Sequence, residues 1–432
     1  MKDLKHLLYF ENLLQEAHND LVAQAQNEGK ICVAYACENT PEPLLNLPGA
    51  FSTRLRAPRT GSMEMATYYM TSFLCEYSRA LLERAIEGGY NFADCMITPD
   101  GCSMMNRAVE NMELLKTMGK SKPKFFYEYM EIPMKADDNG LNLYVLQCRN
   151  HILTPLHEHY GIDVSDAAIR SAVAEHNHVC ELIRAIGEYR KGDNPRITGY
   201  EFHVITLATY VAPKYLLIDK LEETLKELKT RRPDKKNPYR ARVVVVGSEV
   251  DDIDFIKLVE DTGAYVCADR FCYGSFPGRD PITLTDDEDA LTQICRQYCT
   301  AVSARAIWIC PRCSAAANTS TALPRSMRPT ASSMSRSSSA TRGRMSVCSA
   351  RTFSTTTTAI RCCLLTARIT SLPPARCAPV CRHSWKAWRS RRFKGGNSDV
   401  QQENRLRKFR QVLYRGQGTQ PPRVARCQGH AL

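Results

Sequence analysis

The stretch ARVVVVGSEVDDIDFIKLVEDTGAYVCAD, residues 241–269, decides the fold. Its apolar run Val243–Val246 is short and β-branched, which reads as a buried strand. A Gly247-Ser248 turn follows, then an amphipathic helix for which Ser248 or Asp251 is the expected cap, then a second strand ending at AYVCAD. Strand, turn, helix and strand make one β-α-β unit, the building block of a parallel sheet covered by helices.

Working back toward the N-terminus, the same alternation recurs. ICVAYA (31–36), FADCMITP (92–99) and KFFYEYMEIP (124–133) read as strands. GSMEMATYYMTSFLCEYSRALLERAIEGG (61–89) reads as one long helix stopped by glycine, and a further helix opens at GCSMMNRAVENMELL directly after the second of those strands. A mostly helical stretch from about Leu141 to Leu228 ends in the charged linker KTRRPDKKNPYR (229–240). The expected architecture is α/β: two Rossmann-like α/β domains with helical connections, followed by a largely disordered basic tail. The expected boundaries are an N-terminal helix over 1–28, a first α/β domain over 29–140, a helical connection and linker over 141–240, the start of a second α/β domain over 241–298, and the tail over 299–432.

The amphipathic N-terminus MKDLKHLLYFENLLQEAHNDL lacks the uninterrupted apolar core of a signal peptide, and no apolar run reaches the length of a membrane span. A soluble, cytoplasmic protein without membrane contact is expected. In that compartment nineteen cysteines point to thiols and metal ligands rather than disulfides.

The net charge of +12 averages two unlike parts. Residues 1–300 hold 34 Lys+Arg against 44 Asp+Glu, whereas residues 301–432 hold 24 against 2. Of those 24, 21 are arginine, and no acid occurs from Ala301 through Ser398.

Ligands of open α/β sheets collect at the carboxyl ends of strands. Cys102 lies there, at a helix start where amide dipoles favour a thiolate, and Cys75 lies in the preceding helix, which a helix–strand–helix return could bring alongside. Two such thiolates could share an iron–sulfur cluster or a zinc ion; equally, by spacing alone, both could be small buried hydrophobes. Cys95, Cys32, Cys148, Cys180 and Cys267 read as core, Glu38 and Glu42 as capping or supporting residues of the CENTPEP segment, and Arg79 as solvated. Gly247-Ser248 could meet a phosphate but lacks the full dinucleotide fingerprint.

CENTPEPLLNLPGAFSTRLRAP (37–58), TGSMEMATYYMTSFLCEYSRALLE (60–83), ADCMITPDGCSMMNRAVENMELL (93–115) and VVVVGSEVDDIDFIKLVEDTGAYVCADRFCYGS (243–275) resemble the 2-hydroxyacyl-CoA dehydratase and benzoyl-CoA reductase subunit family, from about Gly29 to about Gln297. The resemblance implies a dimeric enzyme with a second dehydratase subunit, and a [4Fe-4S] cluster on three cysteines of each subunit. It also implies an ATP-dependent iron–sulfur activator protein and an acyl-CoA substrate, dehydrated through a ketyl radical after one-electron reduction of its thioester. Related members reduce an aromatic CoA thioester instead. Cys75 and Cys102 fall at two of the family's cluster cysteines, with Ser103 in place of the usual acid. The family's third cysteine stands in a Phe-Cys-Asp setting, which this chain lacks.

The tail bears on that absence. Trp385-Lys386 must be encoded TGG-AAR, so reading from the third base forces a glutamate there, and the stretch RCAPVCRHSWKAWRSRRF (376–393) becomes compatible with the family's C-terminal helix. Trp308-Ile309 likewise forces an aspartate, and TASSMSRSSSAT (330–341) becomes compatible with a pattern ending Phe-Cys-Asp, its cysteine encoded across Ser339 and Ala340. A frame-shifted translation beginning between Pro281 and Thr300 explains the arginines, the missing acids and the tryptophans together. Two rival readings of the tail rank below it: a zinc knuckle from CRQYC (295–299) and CPRC (310–313), and nucleic-acid or other anion binding by an Arg/Ser-rich arm. Bound iron, against colourless protein with steep salt dependence, separates the enzyme from the binder.

Overall fold

The computed structural model describes residues 3–305, apart from 59, 121, 192–193, 234–238, 240, 247–248 and 276–278, together with Ser346–Ser349. All of these belong to a unit spanning Met1–Leu364; a second unit, Leu365–Leu432, lies outside the described residues, as does most of the basic tail.

The first sheet has four parallel strands, β1 (Ile31–Tyr35), β2 (Ala50–Arg54), β3 (Cys95–Pro99) and β4 (Phe126–Met130), in the order β2-β1-β3-β4. β1 pairs with β2 from Ile31↔Ala50 to Tyr35↔Arg54, and with β3 from Val33↔Cys95 to Tyr35↔Ile97. Side chains alternate across this sheet, and both faces are apolar. Val33 and Tyr35 join a core with the helices Asp138–Cys148, Asp166–Glu188 and Ala290–Arg305, while Cys32, Ala34 and Ala36 join a second core with Glu76–Ile86 and Ser103–Leu114. A central strand buried on both faces tolerates little loss of volume. Ile97→Ala, at a fully buried position, should cost about 2–5 kcal/mol, read as a lower denaturant midpoint at unchanged slope.

The second sheet is built on β5 (Ala241–Val246), parallel to β6 (Ala264–Arg270) through the helix Ile253–Asp261, as the 241–269 stretch predicts. Gly263, at φ +88°, turns the chain from that helix into β6. The other neighbour of β5 is β7 (Ser346–Ser349), which runs antiparallel to it, in register from Val243↔Ser349 to Val246↔Ser346.

Four expectations are corrected. The helix expected over 61–89 is two helices, Glu64–Tyr69 and Glu76–Ile86. Met70 leaves the helix in extended backbone to bury its side chain, and Thr71-Ser72 favours local hydrogen bonding over helix continuation. The N-terminal helix is also double, Leu7–Leu13 and Asp20–Asn27, because the Asn19 side chain caps the second helix by accepting from Val22 N at 3.1 Å and itself donates to Val211 O. The cap of Ile253–Asp261 is Asp252, not Asp251. Arg79 is buried rather than solvated, with Nη1 donating to Thr67 Oγ1 at 3.0 Å. The Gly247-Ser248 turn lies outside the described residues.

Candidate functional site

β3 delivers the chain to Pro99, and within three residues Cys102 stands at the N-cap of Ser103–Leu114. The break of the expected long helix puts Cys75 in the same situation, at the N-cap of Glu76–Ile86 rather than late in a helix. Both thiols are exposed, unlike Cys32, Cys95, Cys148, Cys180 and Cys267, which are buried as their sequence contexts indicate. Desolvation by the surrounding walls raises the Cys75 pKa, the Ser78 backbone N–H and hydroxyl oppose that rise, and a charge on Cys102 adds to it. The two sulfurs therefore lie within electrostatic reach of each other.

Such a pair fits two corners of a thiolate-held cluster. No group of three or more His, Cys, Asp or Glu side chains among the described residues could hold a metal ion. The segment in which the frame-shifted reading puts the third cysteine, around Ser339 and Ala340, is outside them. Cys295 and Cys299 do share one face of Ala290–Arg305, but both are buried, and Cys295 is hydrogen-bonded with Cys148. CPRC lies outside the described residues.

Beside the thiol pair, the carboxyl ends of the two sheets meet. Arg54, the last residue of β2, has a fully buried side chain. Its Nη1 donates to Cys272 O at 2.7 Å just past β6, its Nη2 stands 3.4 Å from both carboxylate oxygens of Glu249 just past β5, and its guanidinium lies 4.0 Å from the Tyr273 ring centre. Arg56 donates to Asp251 O, Asp251 Oδ2 accepts from Ala57 N at 3.1 Å, and the Tyr77 and Tyr273 hydroxyls sit 2.8 Å apart beside the Leu55 carbonyl. Tyr77 is two residues beyond Cys75, so this polar seam adjoins the thiols. Burial raises the Glu249 carboxyl to about 7 against the pull of Arg54, with Glu38 and Asp251 adding to the rise. Burial likewise pushes the Cys37 thiol, at the end of β1, up to about 12.

The CENTPEP segment is anchored from below. Glu42 is buried in the turn Glu42–Leu45, where Oε1 accepts from Lys214 Nζ at 2.7 Å and from the Tyr35 hydroxyl at 2.9 Å, and Oε2 lies 3.7 Å from His176 and 3.8 Å from Arg279. Burial alone would raise this carboxyl, but Lys214, Arg279 and His176 outweigh it and hold it at about 2, down from the ordinary 4.5. Because its folded pKa is depressed, its stabilisation is present above about pH 4.5 and is lost as pH falls toward 2. Glu42→Gln leaves two buried cations without their carboxylate and should cost about 3–5 kcal/mol at neutral pH, with the difference from wild type shrinking on acidification. Chemical denaturation at pH 7 and pH 3 measures both. Glu42 is thus an ion-pair hub; Arg54, Glu249, Lys214 and Arg279 were not foreseen, since their partners are far away in sequence.

A family model for 2-hydroxyglutaryl-CoA dehydratase, D-component, matches residues 37–307. The chain belongs to this family. It is also similar to a benzoyl-CoA reductase subunit of Thauera aromatica, at 23% identity over 210 residues. That alignment covers 47% of the chain, which spans about half (51%) of the length of the curated relative it matches. The family match takes in the CENTPEP segment, both exposed cysteines, the seam of Arg54, Glu249 and Tyr273, and the whole of the helix Ala290–Arg305. No helix among the described residues is long and apolar enough to cross a membrane.

Proposed function

We propose that this chain is one subunit of a cytoplasmic, iron–sulfur 2-hydroxyacyl-CoA dehydratase-like enzyme that converts a 2-hydroxyacyl-CoA to an enoyl-CoA. The observation that carries the reading is the pairing of Cys75 and Cys102, two exposed thiols at helix starts within electrostatic reach, beside the end of β3. On this reading both sulfurs bind iron of a [4Fe-4S] cluster, whose third thiolate comes from the frame that restores Phe-Cys-Asp. The chain as written is then impaired in assembling it. When bound, the cluster would supply the low-potential electron chemistry that activates a thioester for loss of its α-hydroxyl.

The residues of the chain supply the setting. The sheets of β1–β4 and β5–β6 are read as the cores of two Rossmann-like domains, 29–140 and the one starting at 241, joined by the helices of 141–240. Their facing carboxyl ends form the acyl-CoA cleft, in which Arg54, Tyr77 and Tyr273 hold the two sides together and exclude water. A second dehydratase subunit and an ATP-dependent activator protein are the expected partners. The exposed run Met65, Tyr68, Tyr69 and Phe73, leading up to Cys75, is an apolar surface of the kind a protein partner covers. The similarity to a benzoyl-CoA reductase subunit favours a second reading, reduction of an aromatic acyl-CoA.

The test is to prepare the chain, translated in the frame that restores Phe-Cys-Asp, without oxygen, with its partner subunit and activator, and to offer 2-hydroxyglutaryl-CoA and benzoyl-CoA separately. Appearance of the enoyl-CoA supports dehydration. Loss of the aromatic ring absorbance with benzoyl-CoA alone supports the second reading, and turnover of neither removes both.

A further inference from the structure

We propose that Glu249 is the catalytic acid and base of the cleft, the group that protonates the departing α-hydroxyl of the bound acyl-CoA and then takes the β-proton. This inference rests on the dehydratase reading above. Its geometric basis is the position of the carboxyl. Glu249 follows β5 at the carboxyl end of a parallel sheet, where substrates of such sheets bind, and it faces the carboxyl end of the other sheet through Arg54. Its side chain is 16% exposed, so the protein holds it while part of it remains in reach of solvent.

The groups that face it come from every neighbouring segment. Arg54 approaches from β2, Cys37 and Glu38 from the end of β1, Asp251 from its own loop, Cys272 and Tyr273 from the end of β6, and Tyr77 from Glu76–Ile86. One cation against two further carboxylates in a desolvated pocket leaves Glu249 balanced between its two states, at about 7. Proton transfer is most effective from a group whose pKa is near the working pH, because both states are then populated. Glu42, held at about 2 by its cations, cannot serve as a proton donor.

Atoms and electrons balance through the sequence. One electron from the low-potential activator protein enters the substrate thioester. The Cα–O bond then breaks as the Glu249 carboxylic acid gives its proton to the oxygen, and water leaves. The β-carbon, now acidified, gives its proton to the Glu249 carboxylate, the Cα=Cβ bond forms, and the product radical anion hands the borrowed electron back to the enzyme's low-potential one-electron carrier, from which the next substrate thioester would take it, so that the cycle is redox-neutral. The products are enoyl-CoA and water, and Glu249 ends protonated as it began. The competent starting state is the acid, so activity should hold at low pH and fall as pH rises through about 7.

Two measurements test this. Infrared difference spectra of the full chain across pH 5–9 should show a carboxylic C=O band that disappears around neutrality and is absent in Glu249→Gln. In the complete complex of the restored-frame chain, taken as wild type, with partner subunit, activator and 2-hydroxyglutaryl-CoA, Glu249→Gln should retain its iron but lose about 100-fold or more in rate, together with the alkaline fall of the wild type. Glu249→Asp, which withdraws the carboxyl by one methylene, should be slower than wild type and keep a fall with a shifted midpoint, and it decides the matter if the glutamine variant does not fold. Equal rates and profiles in wild type and variants, or a carboxylic band unchanged in Glu249→Gln, overturn the assignment alone. No dehydration by the wild-type complex overturns the function reading and the assignment with it.

Discussion

Replacing either Cys75 or Cys102 by serine in the chain translated in the frame that restores Phe-Cys-Asp should reduce the iron bound by the anaerobically prepared protein at least tenfold while leaving its unfolding midpoint almost unchanged. The two halves of that expectation have separate causes. Serine keeps the shape of cysteine but offers a hard, weakly acidic oxygen in place of a soft thiolate, and iron–sulfur clusters are held by thiolates. Both positions are exposed at helix N-caps where neither sulfur packs in a core, so stability should move by no more than about 0.5 kcal/mol. Cys95→Ser is the informative opposite. That side chain is fully buried in β3, so a hydroxyl there should cost about 1–3 kcal/mol in stability while iron content stays at the wild-type level. Iron retained in both surface variants, or lost in Cys95→Ser with the fold intact, would remove Cys75 and Cys102 as ligands. Because desolvation raises the Cys75 thiol, iron must displace a proton to bind there, and affinity should increase with pH.

Much of the fold was legible where burial is apolar. β1, β3, β4, β5 and β6 all stand where short apolar runs indicate strands. β2 was not read because AFSTR carries Ser52, Thr53 and Arg54 into a fully buried strand, and polar burial of that kind depends on partners elsewhere. Ser52 is satisfied by Asn46, whose Oδ1 accepts from its N–H at 3.0 Å, and Arg54 by residues of the second sheet. Neither requirement has a local signature. The helix break at Met70 has no signature in the sequence for the opposite reason. The helical period continues through residues 61–89, but burying Met70 and exposing Phe73 needs a turn that the period does not encode. At the site, strand-end position pointed to Cys102, and helix order brought Cys75 toward it. The Arg54–Glu249 contact joins residues 195 positions apart, and only the meeting of two sheet ends creates it. Glu42 was visible as an acid in a turn, but its role as a hub depends on Lys214, His176 and Arg279, which arrive from three distant segments.

A chain translated in the frame that restores Phe-Cys-Asp should bind several irons per chain, whereas the chain as written should bind far fewer, although Cys75 and Cys102 are identical in both. Two thiolates held near each other retain a cluster poorly, because each remaining corner must be filled by solvent or an exogenous ligand and is readily lost. A third protein thiolate adds a bond at little further entropic cost once the first two are in place. Composition gives the second difference between the chains. As written, residues 301–432 carry 24 basic residues against 2 acidic ones. In the restored frame the same bases encode acidic and apolar residues, including the forced glutamate at Trp385-Lys386 and the forced aspartate at Trp308-Ile309. The restored chain should therefore also show more cooperative unfolding and lose nonspecific binding to RNA, which the arginine-rich tail should display with a steep dependence on salt. Iron analysis and an RNA-binding titration on the two chains side by side decide the point. Equal iron in both would mean that the third ligand is not where the shifted frame puts it, and iron bound only by the chain as written would return the tail cysteines to consideration.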